Sequence, residues 1–125
     1  MTVGLDLMPT TGGNYALNKD GWKSPFTRDK EIVRPGYHKV TLDKYAMDVE
    51  ITSTERVGYH RYTYANAGRA DIIVSLGGKS GSGYMVNGHV EAVSPTQLEG
   101  YYDRVGAKWY GPPRVRTFFV IELDR

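Results

Sequence analysis

Between Gly36 and Tyr64 apolar and polar residues alternate with a period of two, and this constrains the fold more than any other feature of the chain. His38, Val40 and Leu42 alternate with Lys39, Thr41 and Asp43. Met47, Val49 and Ile51 alternate with Asp48, Glu50 and Thr52. A helix would scatter such a pattern around its circumference, whereas a strand gathers the apolar members on one face. Tyr59 to Tyr64 continues as an aromatic strand, with turns expected at Glu55-Arg56-Val57-Gly58 before it and Ala65-Asn66-Ala67-Gly68 after it. The composition agrees, because 15 Gly, 6 Pro and 10 Tyr in 125 residues favour turns and aromatic strands over helices.

The rest of the chain extends the pattern. Asp71 to Leu76 is apolar on both faces, as in a central strand. Tyr84-Met85-Val86, Asn87-Gly88 and His89 to Val93 read as a hairpin, since Asn-Gly suits a tight turn between paired strands. Ser94 to Glu99 has room for a helical turn. In Arg114 to Leu123 one face carries Val115, Thr117, Phe119, Ile121 and Leu123. The other carries Phe118 and Val120, which predicts a strand inside a sheet. The first 36 residues look irregular. Met1 to Met8 reads as a short strand broken by Pro9 to Gly13, Lys19-Asp20-Gly21 as a turn, and Thr27 to Arg34 as part of a long loop. The expectation is an all-β, antiparallel β-sandwich, one domain over residues 1–125.

Several functions are disfavoured. The balance of 16 Lys and Arg against 14 Asp and Glu gives +2, too little basic excess for nucleic-acid binding. There is no Cys, which removes thiol catalysis, disulfides and Cys-based zinc sites. The longest apolar run is Phe118 to Ile121, so no membrane-spanning helix is expected. Gly77-Gly78-Lys79-Ser80 lacks the earlier Gly of a phosphate-binding loop, because position 73 is Ile73. No Gly-x-Ser-x-Gly elbow occurs. His38, His60 and His89 are read as ordinary strand positions rather than metal ligands.

The candidates that remain lie in loops and among aromatic rings. Glu50, Glu91 and Glu122 alternate with apolar neighbours and read as solvated strand faces. Glu31 and Asp29 sit in the long loop near Trp22 and Phe26, where a carboxylate can meet a ligand. Tyr59, Tyr62, Tyr64, Tyr101, Tyr102, Trp109 and Tyr110 have the apolar faces and polar edges that suit a pyranose ring. They are also ordinary packing residues of a β-sandwich.

Several runs together resemble a known family. Ser24-Pro25-Phe26-Thr27-Arg28-Asp29-Lys30-Glu31 leads to Pro35-Gly36-Tyr37-His38-Lys39-Val40-Thr41-Leu42, and Val49 to Tyr64 follows. This resembles the N-terminal domain of the glycoside hydrolase family 92 α-mannosidases. The family pattern there runs Ser-x-Phe-Ser-His-x-x-Glu, then Pro-Gly-Tyr-Tyr-x-Val-x-Leu. Met8 to Gly12 and Phe118 to Glu122 are similar to flanking segments, and residues 36–64 carry most of the specificity.

The resemblance implies a supersandwich-like domain, incomplete at its N-terminal side, from a secreted or periplasmic exo-acting enzyme of α-1,2-mannosidase type. It implies inversion at mannose with help from calcium, the general acid, general base and ion all belonging to a separate helical barrel. This chain alone is then expected to be inactive, with no catalytic residue, metal ligand or cofactor of its own. Its partners would be a mannose-containing glycan, reached through the parent enzyme, the catalytic domain, and a second copy in a homo-oligomer. Glu31 matches the family Glu, and Arg28 stands where the family has His. With Trp22 these are the substrate-binding candidates. The alternatives are a stand-alone carbohydrate-binding or structural β-sandwich module, and a small glycosidase pairing Glu31 with a strand acid.

Overall fold

A computed structural model describes residues 5–13, 19–80, 83–106 and 114–124. The protein is all-β, antiparallel and β-sandwich-like, the class that its alternation predicts. It forms two compact units, one of Met8–Ile73 and one of Met1–Leu7 with Val74–Arg125. No helix among the described residues is long and apolar enough to cross a membrane.

Strand β1 (Asp6–Thr11) runs straight through Pro9, where the sequence suggests a break. Lys19–Trp22 forms one helical turn in place of the expected loop turn, and Arg28–Lys30 forms a 3₁₀ turn. Then come β2 (Ile32–Arg34), β3 (Tyr37–Leu42), β4 (Met47–Ser53) and β5 (Gly58–Tyr64), in the spatial order β2-β3-β4-β5. The β3–β4 register sets His38 opposite Ile51, Val40 opposite Val49 and Leu42 opposite Met47. The β4–β5 register adds His60, Tyr62 and Tyr64 to the same face. Burial follows: Met47 and Val49 form the core with Tyr45, and Met8, Val40, Leu42, Ile51, Tyr62 and Tyr64 pack around them. The expected turn before β5 is present, closed by a Val57 carbonyl that accepts from Thr54 N–H at 2.8 Å.

Strand β6 (Ala70–Ser75) pairs with β1 in a two-stranded sheet, and the chain passes between the units within these two strands. The central position expected for Asp71–Leu76 is therefore corrected: all of these residues are half-buried, and β6 has one neighbour among the described strands.

The second unit holds a four-stranded sheet of β7 (Gly78–Ser80), β8 (Gly83–Ser94), β9 (Gln97–Val105) and β10 (Arg114–Glu122), in the order β10-β9-β8-β7. The Asn87-Gly88 hairpin does not form. β8 continues through it, and the register with β9 shifts between Val86 and His89. Asn87 takes φ 51°, so its left-handed preference is used in a bulge rather than a turn. The true hairpin turn is Pro95-Thr96, where a helical turn was expected. Gly100 is required by close approach: a Cβ there would lie 2.2 Å from the His89 carbonyl oxygen and 2.6 Å from Phe119 Cζ. The Phe119 ring covers the opposing Gly100 and occupies the space a side chain would need.

The internal position expected for Arg114–Leu123 is also corrected. Among the described strands β10 lies at the sheet edge, with Phe118 73% and Val120 56% exposed. Its alternation is real, but period two cannot tell an apolar face that is covered from one that is not.

Candidate functional site

The loop that follows Trp22 is ordered by its contacts with the β3–β4 connection. Asp43–Tyr45 makes a 3₁₀ turn there. The Trp22 carbonyl accepts from Tyr45 Oη at 2.8 Å, and the Gly21 carbonyl from Lys44 Nζ at 2.6 Å. Lys44 N–H donates to Ser24 Oγ at 3.0 Å, and Asp43 N–H to the Pro25 carbonyl at 3.1 Å. Trp22 is half-buried in this arrangement, fixed through its backbone.

Arg28 and Glu31 are brought together by the 3₁₀ turn between them, with Glu31 N–H donating to the Arg28 carbonyl at 3.0 Å. Arg28 and Asp29 are exposed, and Glu31 is half-buried. The Glu31 carboxylate lies on β3, with Oε1 3.0 Å from His38 Nε2. Sequence reasoning treated His38 as an ordinary strand residue and missed this pair. The signal was present, because His38 begins the apolar face of β3 next to the loop that carries Glu31. The three candidates thus form two anchored groups, Arg28 with Glu31 on β3 and Trp22 on the Asp43–Tyr45 turn.

The polar face of the same sheet is closed to other uses by its own pairing. Tyr37 Oη donates to Glu50 Oε1 at 2.7 Å, and Arg61 lies 3.8 Å from Glu50 Oε2. Lys39 Nζ lies 2.8 Å from Asp48 Oδ2, and Thr41 Oγ1 donates to Asp48 Oδ1 at 2.7 Å. The hydrogen bond from Lys39, then that from Thr41, holds the Asp48 carboxyl below its ordinary value. The hydrogen bond to Glu50 raises the Tyr37 phenol. On the opposite face burial lowers the His60 imidazole, whose Nδ1 lies 2.8 Å from Tyr62 Oη. Burial pushes the Tyr62 phenol up to about 12.

The second unit contains a cluster that the sequence did not reveal. Asp103 is 1% exposed, yet it is charged. Arg116 lies directly opposite it on β10 and donates from Nε to Oδ1 at 2.7 Å. Arg114 donates from Nε to Oδ2 at 3.0 Å, and also from Nη2. Asn87 Nδ2 adds a bond to Oδ2 at 3.2 Å. Hydrogen bonds from Arg116 and then Arg114 hold the Asp103 carboxyl far below the carboxylate range. The Arg116 guanidinium also sits 4.4 Å from the centre of the Tyr101 ring, which stacks on His89 with centroids 5.5 Å apart. Beside them a groove of about 490 Å³ is lined by His89, Glu91, Glu99, Tyr101, Phe118 and Val120.

Of the other aromatic candidates, Tyr62, Tyr64 and Tyr102 are packing residues, and Tyr59 is exposed. Trp109 and Tyr110 lie outside the described residues. No three His, Asp or Glu side chains converge as metal ligands among the described residues. Asp48, Glu50 and Asp103 are each committed to protein donors. These residues do not fit a calcium ion.

The family model described as the glycosyl hydrolase family 92 N-terminal domain matches residues 2–125. Among solved structures the chain is similar to the family GH92 α-mannosidase BT3965 from Bacteroides thetaiotaomicron, both alone and in complex with mannoimidazole. In each case the identity is 23% and the TM-score 0.70 over 93% of this chain. The chain spans 15% of the length of one of those structures and 16% of the other. No curated protein matches the chain.

Proposed function

We propose, from the premise that the chain belongs to the N-terminal domain family of glycosyl hydrolase family 92, that it is the non-catalytic sandwich of an exo-acting α-mannosidase. In this reading it packs against a helical catalytic barrel and shapes the side of the mannoside site. The observation that carries the reading is the family match along essentially the whole chain. The calcium ion, the inverting acid and base, and the α-1,2 preference belong in this proposal to the barrel, whose chemistry no residue here performs.

The loop residues have the chemistry for a supporting role. Glu31, oriented by His38, accepts hydrogen bonds from sugar hydroxyls, and an imidazole on one carboxylate oxygen leaves the other available. Arg28, exposed beside it, donates to hydroxyls. Trp22 offers an aromatic face to a pyranose ring.

The test is an NMR titration of the folded chain with α-1,2-mannobiose, with and without calcium, alongside an assay of mannobiose cleavage. Localised shifts at Trp22, Arg28 and Glu31, unchanged by calcium and weakened in Glu31→Gln, are expected, with no cleavage. Silence at millimolar sugar would remove the sugar-lining role. Cleavage by the chain alone would overturn the non-catalytic reading.

A further inference from the structure

The edge strand β10 is complementary to itself. We propose that it pairs antiparallel with β10 of a second copy, about a twofold axis at Phe118. β10 is nine residues long and pairs with β9 in unbroken register, so it is straight and has no bulge. Among the described strands nothing pairs with its other side. A long, regular edge without Pro or a bulge is a template for another strand.

Charged side chains often guard such edges, but two of the three here are drawn away. Arg114 and Arg116 both turn their guanidinium groups onto Asp103 of β9. Phe118 and Val120 are left as the exposed centre of the strand.

The order of residues then fits self-pairing. With Phe118 opposite Phe118 of the second copy, Arg114 lies opposite Glu122 and Val115 opposite Ile121. Arg116 lies opposite Val120 and Thr117 opposite Phe119. All nine residues find a partner: opposite charges meet at both ends, Val115–Ile121, Thr117–Phe119 and Phe118–Phe118 are aromatic or β-branched pairs of the kind that stabilise adjacent strands, and Arg116 lies against Val120. The other edges of the two four-stranded sheets do not offer this. β2 and β7 have three residues each. β5 has seven, and centred self-pairing would set Arg61 against Arg61. A C2 contact of this kind uses one patch on both copies and closes at the dimer.

The absence of Cys makes the register directly testable. Phe118→Cys places two thiols face to face on the axis, with Cβ atoms about 5 Å apart, near disulfide range. Glu122→Cys places its thiols eight residues apart along the strands, roughly 26 Å. The expected result is rapid disulfide dimer formation for Phe118→Cys and little for Glu122→Cys. Sedimentation equilibrium of the unmodified chain is expected to show concentration-dependent dimers. Phe118→Lys, a change at an exposed position whose fold is checked by circular dichroism, is expected to weaken the dimer roughly tenfold or more by setting like charges on the axis. A monomer at all concentrations, equal cross-linking at both positions, or a dimer unaffected by Phe118→Lys would each overturn the proposal. A monomer would assign the edge to a strand of some other chain segment.

Discussion

The two four-stranded sheets solve the same problem in different ways. The β2–β5 sheet segregates its residues by face. Its apolar side gathers Met47, Val49, Tyr62 and Tyr64 into a core, and its polar side is a ladder of short-range pairs around Asp48 and Glu50. The β7–β10 sheet instead buries a carboxylate. Asp103 is satisfied only because two arginines from the next strand and a bulged asparagine converge on it. The first arrangement tolerates loss of any one polar pair better, since its groups keep partial contact with water and such ion pairs contribute little. The second does not, because the buried carboxylate depends on its donors, and without it Arg114 and Arg116 face each other as like charges.

The largest expected effect is therefore at Asp103. Asp103→Ala leaves Arg114 and Arg116 side by side without their carboxylate. We expect loss of cooperative melting and of amide protection in β8, β9 and β10. Protection that survived in those strands would break the contrast between the sheets.

Next comes the apolar core. Met47 is 1% exposed, so Met47→Ala should cost about 3 kcal/mol by lost transfer energy and cavity formation, read by urea denaturation. By comparison, Lys39→Ala on the partly exposed ladder of the same sheet should change stability by less than about 1 kcal/mol.

A smaller effect sharpens the account of burial in β5. The Tyr62 phenol is raised to about 12 by burial, whereas an unfolded tyrosine titrates near 10. The folded state thus holds its proton more tightly than the unfolded state. The stability this provides is complete below pH 10 and is lost as pH rises towards about 12. Tyr62→Phe keeps the ring and removes the titration, so thermal melts across that window should fall less steeply for the variant. Parallel curves would show that Tyr62 is not the group responsible.

The smallest expected change is a gain. Thr10 is fully buried, and its hydroxyl has no hydrogen-bond partner among the described residues. Thr10→Val keeps the shape and removes the unsatisfied group, which should stabilise the chain by about 1 kcal/mol in the same denaturation assay. A loss there would mean that the hydroxyl has a partner.

What the amino-acid pattern reveals divides along the same line. Where apolar and polar residues alternate, in β3 and β4, the strand positions and the inward-facing residues were legible, because a one-residue slip would turn every side chain to the wrong face; the registers that join β3, β4 and β5 were not. Where special residues serve more than one geometry, the reading failed. Asn87-Gly88 supplied a bulge rather than a turn, and Pro95-Thr96 supplied the turn. Of the candidate site, the residues Trp22, Arg28 and Glu31 were chosen by loop position and resemblance, but the partner His38 was not.

The sequence by itself determined that this protein is an antiparallel β structure, through alternation that only a strand can use. It also carried the family likeness in residues 24–64. Only the tertiary structure decided which strands lie at edges, which carboxylate is buried, and that Phe118 faces outward. These depend on pairings between residues far apart in the chain, such as Asn87 with Asp103 and Arg116 with Asp103. A periodic pattern fixes which face of a strand a residue is on, and is silent about which strand comes next to it.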